Sequence, residues 1–452
     1  MISKKERDMS MSVRDSLRTL ESKGMISTNF FRLTDSSKKW FLFLGAVLVI
    51  CLRDYHLLTD ARFWAEEGKL YFAYAFSHSI WETLFKAHLG YYSLFNNISM
   101  ILAAKTVPLE YASLVATLCA LLIQLIPIMI IIWGKSLYWD TLHKKTVVIL
   151  LILFISFTDE VWLNTIASQF HFSLIAFLIL CDESKGRIVR NIIYGFLLLL
   201  SGLTGPVSCF LTPLYIYKAI KFRNWRNIFY STIMIVCAVI QFCVILKYFN
   251  SDIKTARGSW PEPALLGAIL FNKSFLALFL GYTTKVSDLL RSLYTTNYLL
   301  FCIVGYSLFL FFGWFLFNIA KRLKSEARVY FLGSFLALAV LSSLSAVGHK
   351  TILLSIDNGR RYFYAPNIIF LTTFLLISSE VKDRFSKALG VLLVIGIITG
   401  GILYIRTIEL KKEWPSWRSE VKKYREDSLY KPKIWPDGWE VALETNPESV
   451  KD

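Results

Sequence analysis

Between Tyr111 and Gly134 the chain reads YASLVATLCALLIQLIPIMIIIWG, without a charged residue. A segment of that length and polarity surrounded by lipid can satisfy its backbone only within itself, so it is a helix long enough to span a bilayer. A β-barrel would instead show short segments of alternating polarity. Similar runs recur along the 452 residues, of which 55% are hydrophobic and 15% aromatic, with a mean hydropathy of +0.49. That is more apolar surface than one or two soluble domains bury. The fold class that follows is an all-α polytopic membrane protein.

The formal charge of +17 would suit nucleic acid in a soluble protein. In a membrane protein, basic residues crowd cytoplasmic loops and meet anionic head groups, so membrane lipids rather than nucleic acid are the expected partners. The seven cysteines (Cys51, Cys119, Cys181, Cys209, Cys237, Cys243 and Cys302) lie within or at the ends of apolar runs, without a CxxC pair. No disulfide framework or zinc site is expected. Residues 1–39 are polar and mixed in charge, and no small-residue cleavage site follows the run from Trp40 to Leu52. They read as a cytoplasmic segment, with the first anchored helix beginning at Trp40.

Five short connections are basic: Lys135, Lys144 and Lys145; Lys185, Arg187 and Arg190; Lys218, Lys221, Arg223 and Arg226; Lys321, Arg322, Lys324 and Arg328; Lys382, Arg384 and Lys387. Short basic loops resist translocation, which places all five in the cytoplasm and makes the number of crossings between any two of them even. Span one, at about 40–57, must then be followed by 111–134, and the stretch from Tyr91 to Pro108 reads as an amphipathic helix in the outer interface. By the same parity the run from Pro263 to Thr284 is interfacial or re-entrant. The remaining spans are 146–157, 162–181, 191–204, 206–218, 227–248, 297–319, 329–348, 365–379 and 388–404, about eleven transmembrane helices within a domain of 40–404. External loops fall at 53–110, 249–296 and 349–364. The segment 405–452, with ten basic and ten acidic residues, falls outside as a small polar appendage.

The stretch LRDYHLLTDARFWAEEGKLYFAYAF, Leu52 to Phe76, sets Asp60, Glu66 and Glu67 just past the first span. If Asp60 to Phe76 is helical, Asp60 and Glu67 share one side, two turns apart. A carboxylate beside apolar walls can serve as a general base because desolvation raises its pKa. Each acid alone also has a plain role: Asp60 as a cap, Glu66 as a partner of Arg62 or Lys69. In DNGRRYFYAP, Arg360 and Arg361 precede Tyr362 at a span end on the same face, an arrangement suited to a bidentate phosphate clamp or a head-group anchor. Asn164, Ser168, Gln169 and His171 sit near the outer end of another span, where interhelical hydrogen bonding and sugar binding are both open.

Taken together these strings resemble the GT-C glycosyltransferases, polytopic enzymes that take sugars from polyprenyl-phosphate donors on the non-cytoplasmic face. FWAEEGKLYFAYAF is similar to members with an acidic pair and glycine after the first span, so that Glu66 and Glu67 match the pair and Gly68 the glycine. Gly90 and Tyr91 match a G-Y pair, Asn96 stands where an arginine is common, and GRRYFYAP resembles a G-x-R-Y-F-x-x-P string with Arg361 on its arginine. The resemblance implies a GT-C-like fold and a transfer with Glu67 as base, supported by Glu66 or Asp60. Arg361, Arg360 and Tyr362 would hold the donor phosphate, and Gln169, His171, Tyr91 and Asn96 the sugar or acceptor. It also implies no cofactor: a donor with a single phosphate needs no metal, although the acidic pair could hold one. The expected partners are a polyprenyl-phosphate-linked sugar and a glycan or lipid acceptor, at a bacterial inner membrane where a surface polysaccharide such as O-antigen is modified. The alternative is a transporter or flippase of lipid-linked sugars without transferase activity; it predicts mid-bilayer charges and related halves of the chain. A polymerase or ligase joining whole glycans ranks third.

Overall fold

The computed structural model describes residues 34–156, 158–183, 188–249, 261–281, 284–345, 350–409 and 415–443. Most of the N-terminal segment, Lys185 and Arg187, Lys254 and Arg257, His349 and the last nine residues lie outside them. The chain divides into two compact units, Met1–Gly45 and Ala46–Asp452, and helix α1 (Asp35–Arg53) runs through the division.

Helix dominates because the apolar runs leave their backbones no other partner. After α1 come α2 (Leu94–Lys105) and the long α3 (Ala112–Trp133), then α4 (Leu142–Phe154), α5 (Ser168–Leu180), α6 (Ile188–Leu203), α7 (Thr212–Phe222) and α8 (Trp225–Phe249). Next are α9 (Pro263–Phe271), α10 (Thr284–Thr296), α11 (Tyr298–Arg322), α12 (Gly333–Ser345), α13 (Tyr364–Glu380), α14 (Arg384–Glu409) and the polar α15 (Trp417–Glu426). Among the described residues, seven helical stretches are long and apolar enough to cross a membrane, and α5 and α6 are shorter apolar helices. The chain is an all-α multi-pass membrane protein. Among the described residues, sheet is confined to two hairpins of two-residue strands, β1 (Ala87–His88) with β2 (Tyr91–Tyr92) and β3 (Lys433–Ile434) with β4 (Trp439–Glu440).

Polar ties sort the connections into two ends. At one end, the Lys135 N–H donates to Asp182 and the Glu183 N–H to the Lys135 carbonyl. Lys218 Nζ donates to the Leu180 carbonyl, Lys221 pairs with Glu326 at 2.8 Å, Arg322 with Asp383 at 2.7 Å and Lys324 with Glu380 at 3.1 Å. The five basic connections therefore meet. At the other end, Tyr248 Oη donates to the Ala87 carbonyl, Ser93 bridges Thr204, Glu67 accepts from Thr165, and Arg360 pairs with Asp159. Residues 53–110, 158–167, 204–211, 350–363 and 415–443 gather there.

Three expectations change. The stretch Asp60–Phe76 is not one helix: a short helix ends at Thr59, residues 61–63 are non-helical, and a π-helix runs from Glu67 to Phe72. Asp60 and Glu67 accordingly do not share a helix face. The span expected to start at 162 begins helix only at Ser168, because residues 162–167 are held by side chains instead: Asn164 Nδ2 donates to the Glu160 and Trp162 carbonyls. The C-terminal segment, expected as a small polar appendage, contributes apolar side chains to a core. Trp417, Val421, Ile434, Val441 and Leu443 are buried in one cluster with Phe63, Tyr71 and Phe72.

The run from Pro263 continues through a π-helix (Asn272–Leu276) to Leu280, and α10 brings the chain back. It leaves beside Tyr298, whose hydroxyl donates to Glu262, and returns to Asn297, which caps α11. Both ends of this helical pair lie at the same end of α11. Glycine permits the close fit: a Cβ on Gly267 would stand 2.6 Å from the Gly305 carbonyl oxygen.

Candidate functional site

The acidic pair sits on a turn that the chain ties from three sides. The Trp64 N–H donates to Glu67 Oε2 at 2.9 Å while the Glu67 N–H donates to the Trp64 carbonyl at 2.8 Å. Ala65 between them has φ +40°, and its N–H is taken by the Trp435 carbonyl at 2.5 Å. A non-glycine residue stays left-handed only where its surroundings hold it; the parallel bridge between Trp64 and Trp435 does so.

Glu67 itself is 2% exposed. Its Oε1 accepts from both the N–H and the hydroxyl of Thr165 at 2.6 Å. Burial raises its pKa, and the Thr165 and Trp64 donors pull it back. Both carboxylate oxygens are thus spent on protein donors, joining the turn to the α4–α5 connection. Asp60 accepts from the Ser416 hydroxyl at 2.8 Å, which ties it to the C-terminal segment.

Glu66 is half-buried and points elsewhere. Together with Glu160 and Tyr91, it lies within electrostatic reach of the Arg361 guanidinium. Among the described residues Arg361 has no hydrogen bond or ion pair; its nearest aromatic is Tyr362, 5.7 Å from the guanidinium carbon. Glu160, also half-buried, has its carboxyl raised by burial and pulled back chiefly by Arg361. Arg360 differs from its neighbour: it pairs with Asp159 at 2.9 Å and with Asp357. Gly359, at φ +66°, makes the corner that presents both, and a Cβ there would stand 2.4 Å from Leu353.

Lys273, in the π-helix after α9, is 2% exposed. Its ammonium donates to the carbonyls of Ser355, Ile356 and Asn358, at 2.7, 3.0 and 2.5 Å. Asn272 donates to the Leu354 carbonyl, so the helical pair grips the segment just before Gly359.

The other polar residues singled out in the sequence are spread around this centre. Leu89 and Gly90, at φ +55° and +79°, form the corner of the β1–β2 hairpin and set Tyr91 beside Arg361. Asn96 is buried and accepts from the Ser168 hydroxyl at 3.2 Å. Gln169 packs under Gly205. His171 is fully buried, its Nε2 bonded to the Val161 carbonyl at 2.9 Å and its ring between Trp162 and Tyr364. Glu66, Arg361, Tyr362 and Tyr91 are thus brought together, while Asp60, Glu67, Asn96 and His171 serve contacts within the protein. Glu160, Thr165 and Lys273 were not singled out. TDEVW, an acidic pair at a span end on the face of the two arginines, carried the signal for Glu160.

The arrangement can hold an anion on a free guanidinium and offer two carboxylates to a hydroxyl group beside it. Comparison with protein-family models, curated proteins and solved structures finds no match.

Proposed function

We propose that the protein is a membrane glycosyltransferase that moves a sugar from a polyprenyl-phosphate donor to a glycan or lipid hydroxyl. The observation that carries this reading is Arg361: a guanidinium without a hydrogen-bonding partner among the described residues, facing two carboxylates at the end opposite the basic connections. Arg361 is half-buried, and a guanidinium at such a site with its donors unfilled is open to an anion. A phosphate fills them bidentately.

In the transfer, the donor phosphate lies on Arg361 and its prenyl tail stays in the bilayer. The acceptor oxygen attacks the anomeric carbon, its proton passes to a carboxylate, and the bond from that carbon to the phosphate oxygen breaks with its electrons on the phosphate. The configuration inverts, and no metal is required. Glu160 is the acid more strongly coupled to Arg361, and thus its counter-charge. Glu66, less tightly coupled, suits the base, which must work on the side away from the leaving phosphate. Glu67 positions Glu66 through the turn they share, which moves the base from the residue the sequence favours to its neighbour. In this reading eleven helices cross the membrane in a GT-C-like arrangement. The pair α9 and α10 is re-entrant, the N-terminus cytoplasmic and the C-terminal segment external. The setting is a bacterial inner membrane and the acceptor a surface polysaccharide such as O-antigen.

The test is sugar transfer from a purified polyprenyl-phosphate donor. Glu66→Gln should lower the rate by about 10²–10⁴ and Arg361→Lys by about 10²–10³. Normal transfer in both Glu66→Gln and Glu160→Gln would overturn the site. No transfer by the wild type from any such donor would overturn the activity.

A further inference from the structure

At the end with the basic connections, a groove of ≈ 810 Å³ opens between α3 and α6. Its walls are apolar: Ile126, Met129 and Trp133 from one helix, Ile193 and Leu197 from the other. Met129 and Ile193 are 46% and 51% exposed, so the groove faces outward from the helix bundle toward lipid. From Trp133 back to Ile126 it follows the helix for two turns, roughly 10 Å. Lys135 and Arg190 line it beside Trp133 and Val189. Several other cations at this end are paired, among them Lys144, Lys221, Arg322 and Lys324. The side chains of Lys135 and Arg190 have no hydrogen bond or ion pair among the described residues. The nearby Asp182 does not neutralise them: it is buried and accepts from the Lys135 N–H at 3.0 Å and the Tyr194 hydroxyl at 3.2 Å.

We infer that this groove is a binding site for one anionic phospholipid of the adjoining leaflet, its phosphate between Lys135 and Arg190 and an acyl chain laid between α3 and α6. The shape and the charge argue together. Two unpaired cations at one end of an apolar trough match a molecule that is anionic at one end and a hydrocarbon at the other, and basic pockets between membrane helices recruit anionic head groups. A zwitterionic lipid brings the same phosphate together with a cationic group that Lys135 and Arg190 repel, so it gains less from the site.

Native mass spectrometry of the purified protein, after exchange into equal phosphatidylglycerol and phosphatidylcholine, reads the preference. The wild type should retain phosphatidylglycerol selectively. Lys135→Gln and Arg190→Gln should each lower that selectivity about five-fold, while Lys135→Arg should keep it. Ile193→Trp, which fills the trough, should lower retention of both lipids. Equal retention of the two lipids by the wild type would overturn the site, as would undiminished selectivity in the double glutamine variant with an unchanged melting profile. Sugar-transfer activity is not the readout, so neither outcome bears on the transfer chemistry.

Discussion

A carboxylate closed off from solvent must take its donors from the protein, and Glu67 takes three. In Glu67→Gln the amide oxygen can still accept from Thr165, but the amide nitrogen then meets the Trp64 N–H, donor against donor. The expected loss is about 1–3 kcal/mol, measured as a lower melting temperature in detergent. The pH dependence has a definite sign. Because burial holds the Glu67 pKa above its ordinary value of about 4.3, the folded state favours the protonated form. Its contribution is therefore fully present below that value and lost as pH rises through the raised one. The melting temperature of the wild type minus that of Glu67→Gln should shrink on going from pH 4 to pH 8; a constant difference would refute the assignment. Proximity of Glu66 and Glu67 to the first span was legible in the sequence. Which one faces inward was not, because adjacent residues on a turn diverge according to partners at positions 165 and 435 that no local pattern specifies.

At the scale of elements, the helical pair α9–α10 acts as a bracket for the arginine turn. Lys273 gathers three carbonyls of the segment 355–358, and no uncharged side chain of its size offers three donors. In Lys273→Met those carbonyls lose their partner. Hydrogen exchange across 350–363 should rise at least ten-fold, while the exposed Lys324→Met leaves it unchanged; equal protection in both variants would show that the bracket is not needed. Charge parity read the run from Pro263 as interfacial or re-entrant, whereas Pro263–Leu280 is one of the seven stretches long and apolar enough to cross a membrane. The grip on 355–358 was not legible, because hydropathy treats a buried ammonium only as a blemish in an apolar run. Helix existence was read well from the apolar runs, and helix starts less well. Residues 162–167 are apolar enough to continue α5 backward, yet side-chain hydrogen bonds claim that backbone first.

Over the whole molecule, the first loop and the C-terminal segment form one layer. Deleting the residues after 409 removes Trp417, Ile434 and Val441 from the cluster around Phe63 and Phe72, apolar burial worth about 1.5–3 kcal/mol per large side chain. The shortened chain should still insert, because its apolar helices remain, but limited proteolysis should cut between 60 and 72, where the full chain resists. Resistance in the shortened chain would mean that the loop stands without its cover. Counting spans led to the expectation that the two segments share one face, and they do pack together. That they interlock does not follow from that count, because balanced charge in 405–452 hides a spaced set of apolar side chains among many polar ones.

Trp64 and Trp435 are neighbours in space but lie at opposite ends of the message that encodes them. A ribosome adding about 5–20 residues per second needs roughly 20–70 s to pass from one to the other. For that interval Ala65 lacks the carbonyl that holds it left-handed, and Glu66 has no fixed direction. The turn around Glu66 therefore reaches its final form only after the tail has been made, so a chain stalled before residue 435 lacks it.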